Sequence, residues 1–162
     1  MKRPVFAVCT LALFSIIGIS CSTLKVTPLD IVAELVPVAE LTPQEVVEIQ
    51  LTALKANDMK DRGIEVAYRF ASPRNRSLTG NLESFGSLLR RGPYAPMLGC
   101  GDFEVGPVIR EGNLAMVAAW VNTTEGDGTG FVFVLTLQGG GSYHNCWMTD
   151  GVLEFSDLDS GD

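Results

Sequence analysis

The sequence predicts an α+β protein in which N-terminal helices pack on a curved antiparallel β-meander. Three observations carry that reading. Helical periodicity, opened by a capping signal, runs from Thr42 to about Arg90. From Cys100 onward, short β-rich runs alternate with glycine turns. The links between those runs are too short for crossover helices, so about four strands must run antiparallel.

The chain begins with Lys2 and Arg3, then an apolar run from Val5 to Ile19. A membrane span needs about 20 apolar residues, so this shorter run reads as a removable export signal. It ends in Gly18-Ile19-Ser20-Cys21, which resembles the signal peptide of a bacterial lipoprotein. Gly18 departs from that pattern, which prefers a large aliphatic residue there. Cys21 is the expected lipidation site. The alternative is ordinary signal cleavage at the same bond, since Gly18 and Ser20 meet the small-x-small rule; it would leave a secreted or periplasmic soluble protein. An uncleaved anchor ranks below both. Ser22 follows the cysteine, so the aspartate-type signal for inner-membrane retention is missing. The resemblance implies a lipid-anchored cell-envelope protein, with the outer membrane favoured in a diderm bacterium. The expected organisation is a signal peptide over 1–20, a tether over 21–41, an α+β domain over 42–155 and an acidic tail over 156–162.

The tether carries Pro28 and Pro37 among apolar residues, so it is expected to form a helical turn or two and to pack partly on the domain. Thr42-Pro43-Gln44-Glu45 is a capping box with proline at the first helical position. Behind it, Val46, Val47, Ile49, Leu51, Ala53 and Leu54 give a helical face to Asn57, with Gln50 expected to be partly exposed. A second helix is expected through Phe70 and ends at Ser72-Pro73, because the residue before proline avoids the helical region. A third spans Leu82 to about Arg90, with Leu82, Phe85, Leu88 and Leu89 inward, and stops at Gly92-Pro93. Four strands follow: Phe103–Ile109, Leu114–Val121, Gly130–Gln138 and Tyr143–Thr149. The first is broken by Gly106-Pro107, so it is an edge or bulged strand. Residues 125–130 read as a hairpin loop and lack the spacing of a calcium loop.

The 162 residues carry 12 basic and 19 acidic side chains, a formal charge of −7 that becomes −9 once Lys2 and Arg3 leave. Such a chain repels phosphate backbones, which argues against nucleic acid as a partner, and leaves membrane contact to the lipid. Cys9 leaves with the signal. With Cys21 acylated, Cys100 and Cys146 form an even pair, expected to be bridged in an oxidising compartment. The alternative is two buried, unbridged thiols. Two cysteines and the single His144 lack metal-site spacing, so no metal or cofactor is expected.

The run Phe70-Ala71-Ser72-Pro73-Arg74-Asn75-Arg76, then Thr79-Gly80, Phe85 and Tyr94-Ala95-Pro96-Met97-Leu98, with Cys146-Trp147-Met148 near the end, resembles a family of bacteria and plants within the nuclear transport factor 2-like superfamily. That superfamily also holds ketosteroid isomerase and polyketide cyclases. The resemblance implies a cystatin-like cone with a ligand pocket between helices and sheet, and open sheets that pair into homodimers. It carries no established activity. The implied pocket residues are Tyr68, Phe70, Phe85, Tyr94, Trp120, Phe133 and Trp147; the same residues equally suit an ordinary core. Arg74 and Arg76 are candidate contacts for a small anion, because guanidinium forks grip carboxylate or phosphate. Against that, Ser72-Pro73 shapes a turn, Asn75 bonds the backbone and the arginines pair with surface acids.

Isomerase-type chemistry needs a carboxylate base and a buried acid. Asp61, Glu65, Asp102, Glu104, Tyr68, Tyr94 and His144 are the available groups, and no spacing singles one out as catalytic. The reading is therefore an envelope protein with a non-catalytic domain that binds a small apolar ligand or an envelope protein. The alternative is an isomerase or cyclase acting on a small apolar substrate.

Overall fold

The structure is a computed structural model that describes residues 26–155. The expected signal, the Cys21 lipidation site, the first residues of the tether and the acidic tail lie outside the described residues. Among the described residues, five α-helices precede a four-stranded antiparallel sheet of order β1-β2-β3-β4. They are α1 (Pro28–Val32), α2 (Pro43–Lys55), α3 (Arg62–Phe70), α4 (Pro73–Thr79) and α5 (Leu82–Leu89). The strands are β1 (Asp102–Glu111), β2 (Leu114–Asn122), β3 (Gly128–Leu137) and β4 (Trp147–Phe155). The α+β class and the helices-then-sheet order are as the sequence predicts.

Thr42 caps α2 reciprocally: its hydroxyl accepts from the Glu45 N–H at 3.2 Å, and the Glu45 carboxylate accepts from the Thr42 N–H at 2.7 Å. Thr27 and Asp30 build the same box on α1. Leu29 and Val32 of α1 are buried, so the tether does pack on the domain. Its anchor is α3. Arg62 reaches Asp30 at 3.0 Å and Asp58 at 2.7 Å. Arg69 donates to the carbonyls of Ala33 and Leu35 at 2.7 and 2.8 Å.

Helix α2 lies between α3 and the sheet. Gly63 permits the close α2–α3 approach, because a Cβ there would strike the Ala53 carbonyl oxygen. The helix-facing side of the sheet alternates strictly: Ala115, Val117, Ala119 and Val121 from β2, and Phe131, Phe133 and Leu135 from β3, are buried. They meet Val46, Val47, Leu51, Leu54 and Phe70 in one core.

Two bulges interrupt the ladders. In β1 the register slips between Val105 and Val108, where Gly106 and Pro107 face Ala118. This matches the predicted break, on an edge strand. In β4, Leu135 pairs with Thr149 and Val134 with Gly151, which leaves Asp150 as the extra residue.

Several expectations fail. The Ser72-Pro73 pair ends α3 but also starts α4, since the Ser72 hydroxyl accepts from the Asn75 N–H at 3.0 Å. Residues 141–143 form a 3-10 turn, so the last strand begins at Trp147 and continues to Phe155. Leu82 and Leu88 are exposed rather than fully inward. The expected disulfide is also absent. Cys100 and Cys146 are both free and buried. The Gly101 N–H bonds the Asn122 carbonyl at one end of the sheet, whereas the Cys146 carbonyl accepts from Gln138 at the other. The length of β3 separates them, about 30 Å at strand rise, and a bridge needs Cα atoms within about 7 Å.

Candidate functional site

A cleft of about 460 Å³ opens between α3, α4 and α5 on one side and β3 and β4 on the other. Its walls are chiefly apolar, with Phe85, Leu89 and Met97 from the helical side and Phe133 and Val152 from the sheet. The volume is in the range of small-molecule sites.

Of the aromatic residues expected to line a pocket, three do: Phe85, Tyr94 and Phe133. Tyr94 also donates its hydroxyl to the Val152 carbonyl at 3.1 Å, tying the wall to β4. Tyr68 stands behind Phe85, ring centroids 5.3 Å apart, and donates to the Gly80 carbonyl. Phe70 is wholly core. Trp147 is buried at the far end of β4 beneath the Arg110 guanidinium, 4.8 Å from its ring. Trp120 belongs to the opposite face of the sheet, since it alternates with buried Ala119 and Val121. There it packs on Phe155 at 6.4 Å, and its indole donates to Asn122. These four are corrections: alternation along the strands and the depth of α3 place them away from the cleft.

The two candidate anion contacts separate. Arg74 lines the cleft with its side chain 77 % exposed, 4.0 Å from Asp150. Arg76 lies outside it, with its guanidinium 5.7 Å from the Tyr68 ring and 5.2 Å from the Tyr143 ring. Arg69 and Arg90 are engaged structurally, by Glu65 and two carbonyls and by Asp61 respectively.

The cleft floor is a closed polar network that sequence reasoning missed. Gln50, expected to be partly exposed, is buried; it donates to the Ala67 carbonyl at 3.0 Å and accepts from the Thr149 hydroxyl at 2.7 Å. Asn75 donates to the Thr149 carbonyl at 3.1 Å, which also takes the Ser72 N–H at 2.9 Å. Thus α2, α3, α4 and β4 are joined at one point. Buried polar groups need such partners.

Asp150 was also missed. Its side chain is 12 % exposed, and Oδ2 accepts from the Thr136 hydroxyl at 3.1 Å. It is the one carboxylate among the cleft-lining residues described. A charged residue followed by glycine inside an apolar strand was the available signal, because it marks a bulge.

Other candidate acids and bases lie elsewhere. Asp61 pairs with Arg90, Asp102 pairs with Lys55 at 3.1 Å, and Glu65 pairs with Arg69 at 3.5 Å. The Lys55 ammonium and the Phe103 N–H hold the Asp102 carboxyl below its ordinary range. Among the described residues no group of three or more His, Cys, Asp or Glu side chains is placed to hold a metal, and no helix is long and apolar enough to cross a membrane. No family model, curated protein or solved structure matches the chain.

Proposed function

We propose that the protein is an exported, lipid-anchored cell-envelope protein whose domain binds a small apolar ligand in the cleft without transforming it. The observation that carries the binding half is the 460 Å³ apolar cleft between the helices and β3–β4. Water in such a cleft is displaced favourably by an apolar molecule. The export half is supported by the Lys2 to Cys21 segment and its resemblance to lipoprotein signals. The helix-before-meander layout supports the nuclear transport factor 2-like resemblance. An isomerase or cyclase would need a base and an acid converging on the ligand; Asp150, the cleft-lining carboxylate, has Arg74 and Thr136 beside it rather than a second acid.

Native mass spectrometry of the purified protein tests the reading. A stoichiometric extra mass is expected, and Val152→Trp, which adds bulk to the sheet wall, should abolish it with the circular dichroism unchanged. A clean apo mass, with no uptake of an added apolar dye, would end it. Mass analysis of the N-terminal peptide tests the anchor: a diacylglyceryl adduct on Cys21 supports it, and an unmodified Cys21 sinks it.

A second reading, a homodimer, is favoured by the outer face of the sheet. Ile109 is 65 % exposed, and Leu114 and Met116 are exposed beside it on a face that no described helix covers. Sedimentation velocity checks it: a dimer that Met116→Asp dissociates is expected, and a monomer at all concentrations would refute it.

A further inference from the structure

We infer that the outward side of the tether from Val26 to Val38 lies in the lipid surface, as a second membrane contact beside the anchor; this rests on the reading of Cys21 as a lipidated cysteine. The segment is apolar on both sides. Leu29 and Val32 enter the core, while Val26, Ile31, Leu35, Val36 and Val38 are exposed, Ile31 by 64 %. A tenth of the described chain thus holds five of the fourteen large apolar side chains exposed among the described residues. A segment that is apolar all round belongs between two dry surfaces. The domain is one of them. The other follows from where the segment starts. Five peptide steps separate Val26 from Cys21, and five steps span at most about 18 Å. An anchored Cys21 therefore holds the segment within reach of the headgroup layer.

The backbone suits that place. Lipid offers no hydrogen bonds, so carbonyls that enter it need partners in the protein. The turn after α1 has them: Arg69 donates to the Ala33 and Leu35 carbonyls, and the Leu35 N–H donates to the Val32 carbonyl. Charge selects the kind of lipid. Residues 25–38 carry Lys25 against Asp30 and Glu34. Asp30 is held by Thr27 and Arg62, and Glu34 shares a shallow recess with Arg62 and Arg69. No net positive charge draws an anionic headgroup, so the contact is made by apolar side chains and fits a zwitterionic surface.

An environment-sensitive fluorophore on Ile31→Cys reads the contact, in the full-length protein on phosphatidylcholine vesicles with brominated acyl chains. Cys100 and Cys146 are buried and stay unlabelled. Quenching of about two-fold is expected at position 31, since an apolar face at the interface reaches the acyl boundary. None is expected for the same label on Glu104→Cys, which pairs with Trp120 on the outer face of the sheet. Val36→Asp, added to Ile31→Cys, should lift the quenching while the lipid keeps the protein on the vesicles. That variant separates insertion from mere nearness to the anchor, and Val36 is exposed, so the core is spared. Quenching at both label sites, or quenching that Val36→Asp leaves unchanged, overturns the inference. So does a blue-shifted label without quenching, which would mean that a protein partner or a second copy covers the segment. An unquenched label in water, on a protein whose N-terminal peptide carries the diacylglyceryl adduct, overturns the inference and keeps the anchor. An unmodified Cys21 ends both.

Discussion

Thr149 holds α2 and α4 to the last strand through a single hydroxyl and a single carbonyl, and α3 joins them through Gln50. Replacing it with valine keeps the shape but leaves the buried Gln50 oxygen without its donor. A loss of about 1–3 kcal/mol is expected, read as a lower urea midpoint with unchanged slope; an unchanged midpoint would show that the network does not matter. The thiols make a second prediction at this scale. Burial pushes both Cys100 and Cys146 above the ordinary thiol range, with Lys55 partly opposing the shift at Cys100. Both should resist a thiol reagent at neutral pH and react fully in denaturant; immediate labelling of the native protein would contradict their burial. Some of this was legible in the sequence. Thr42-Pro43 and Ser72-Pro73 share one grammar, a hydroxyl before proline that opens a helix. The first was readable because Glu45 completes its box; the second lacks a partner acid and looks only like a stop. Gln50 was unreadable, because a polar residue on an apolar helical face is exposed or buried according to a partner 99 positions away.

Helix α1 is held at its edge by charge. The Thr27 N–H and hydroxyl, then the Arg62 guanidinium, bring the Asp30 carboxyl down from 3.8 to about 2. Arg62 also lowers Asp58, and its own pKa rises in return. A carboxylate lowered in the folded state favours folding above its unfolded pKa, and that contribution fades as pH falls from about 4 towards 2. Amide protection over residues 29–33 should therefore drop in that window before protection within α2 does; constant protection down to pH 2 would refute the clamp. Gly63 governs the next contact inward. Gly63→Ala drives a methyl into the Ala53 carbonyl, so α2 and α3 must part. A cost of about 1–3 kcal/mol is expected, visible as a lower Tm, and an unshifted Tm would show slack between the helices. At this scale α2 was legible from its cap and periodicity, and α3 and α5 from apolar spacing and the proline stops that follow them. Helix α4 was hidden because Arg74, Asn75, Arg76 and Ser77 present no apolar stripe. The start of β4 was displaced because Tyr143, apolar by type, sits in a turn.

Over the described residues the molecule is a sheet with helices packed on one side and no described helix on the other. Its class and strand order followed from short connections, which allow little but a meander. The cleft did not follow, because the same aromatic residues suit core, outer face and pocket, and only strand alternation tells them apart. Trp120 shows the difficulty: it covers Gly128 on the outer face, where a Cβ would collide with its ring. The bulge at Asp150 has one more consequence. Strands count in twos, so removing one residue from a regular strand turns everything beyond it inside out. Position 150 is exempt. Deleting it would restore the plain alternation of Thr149, Gly151 and Val152 with every later side chain on its present face. The chain can therefore change length by one residue there without changing its inside and outside, and what it would give up is the carboxylate alone.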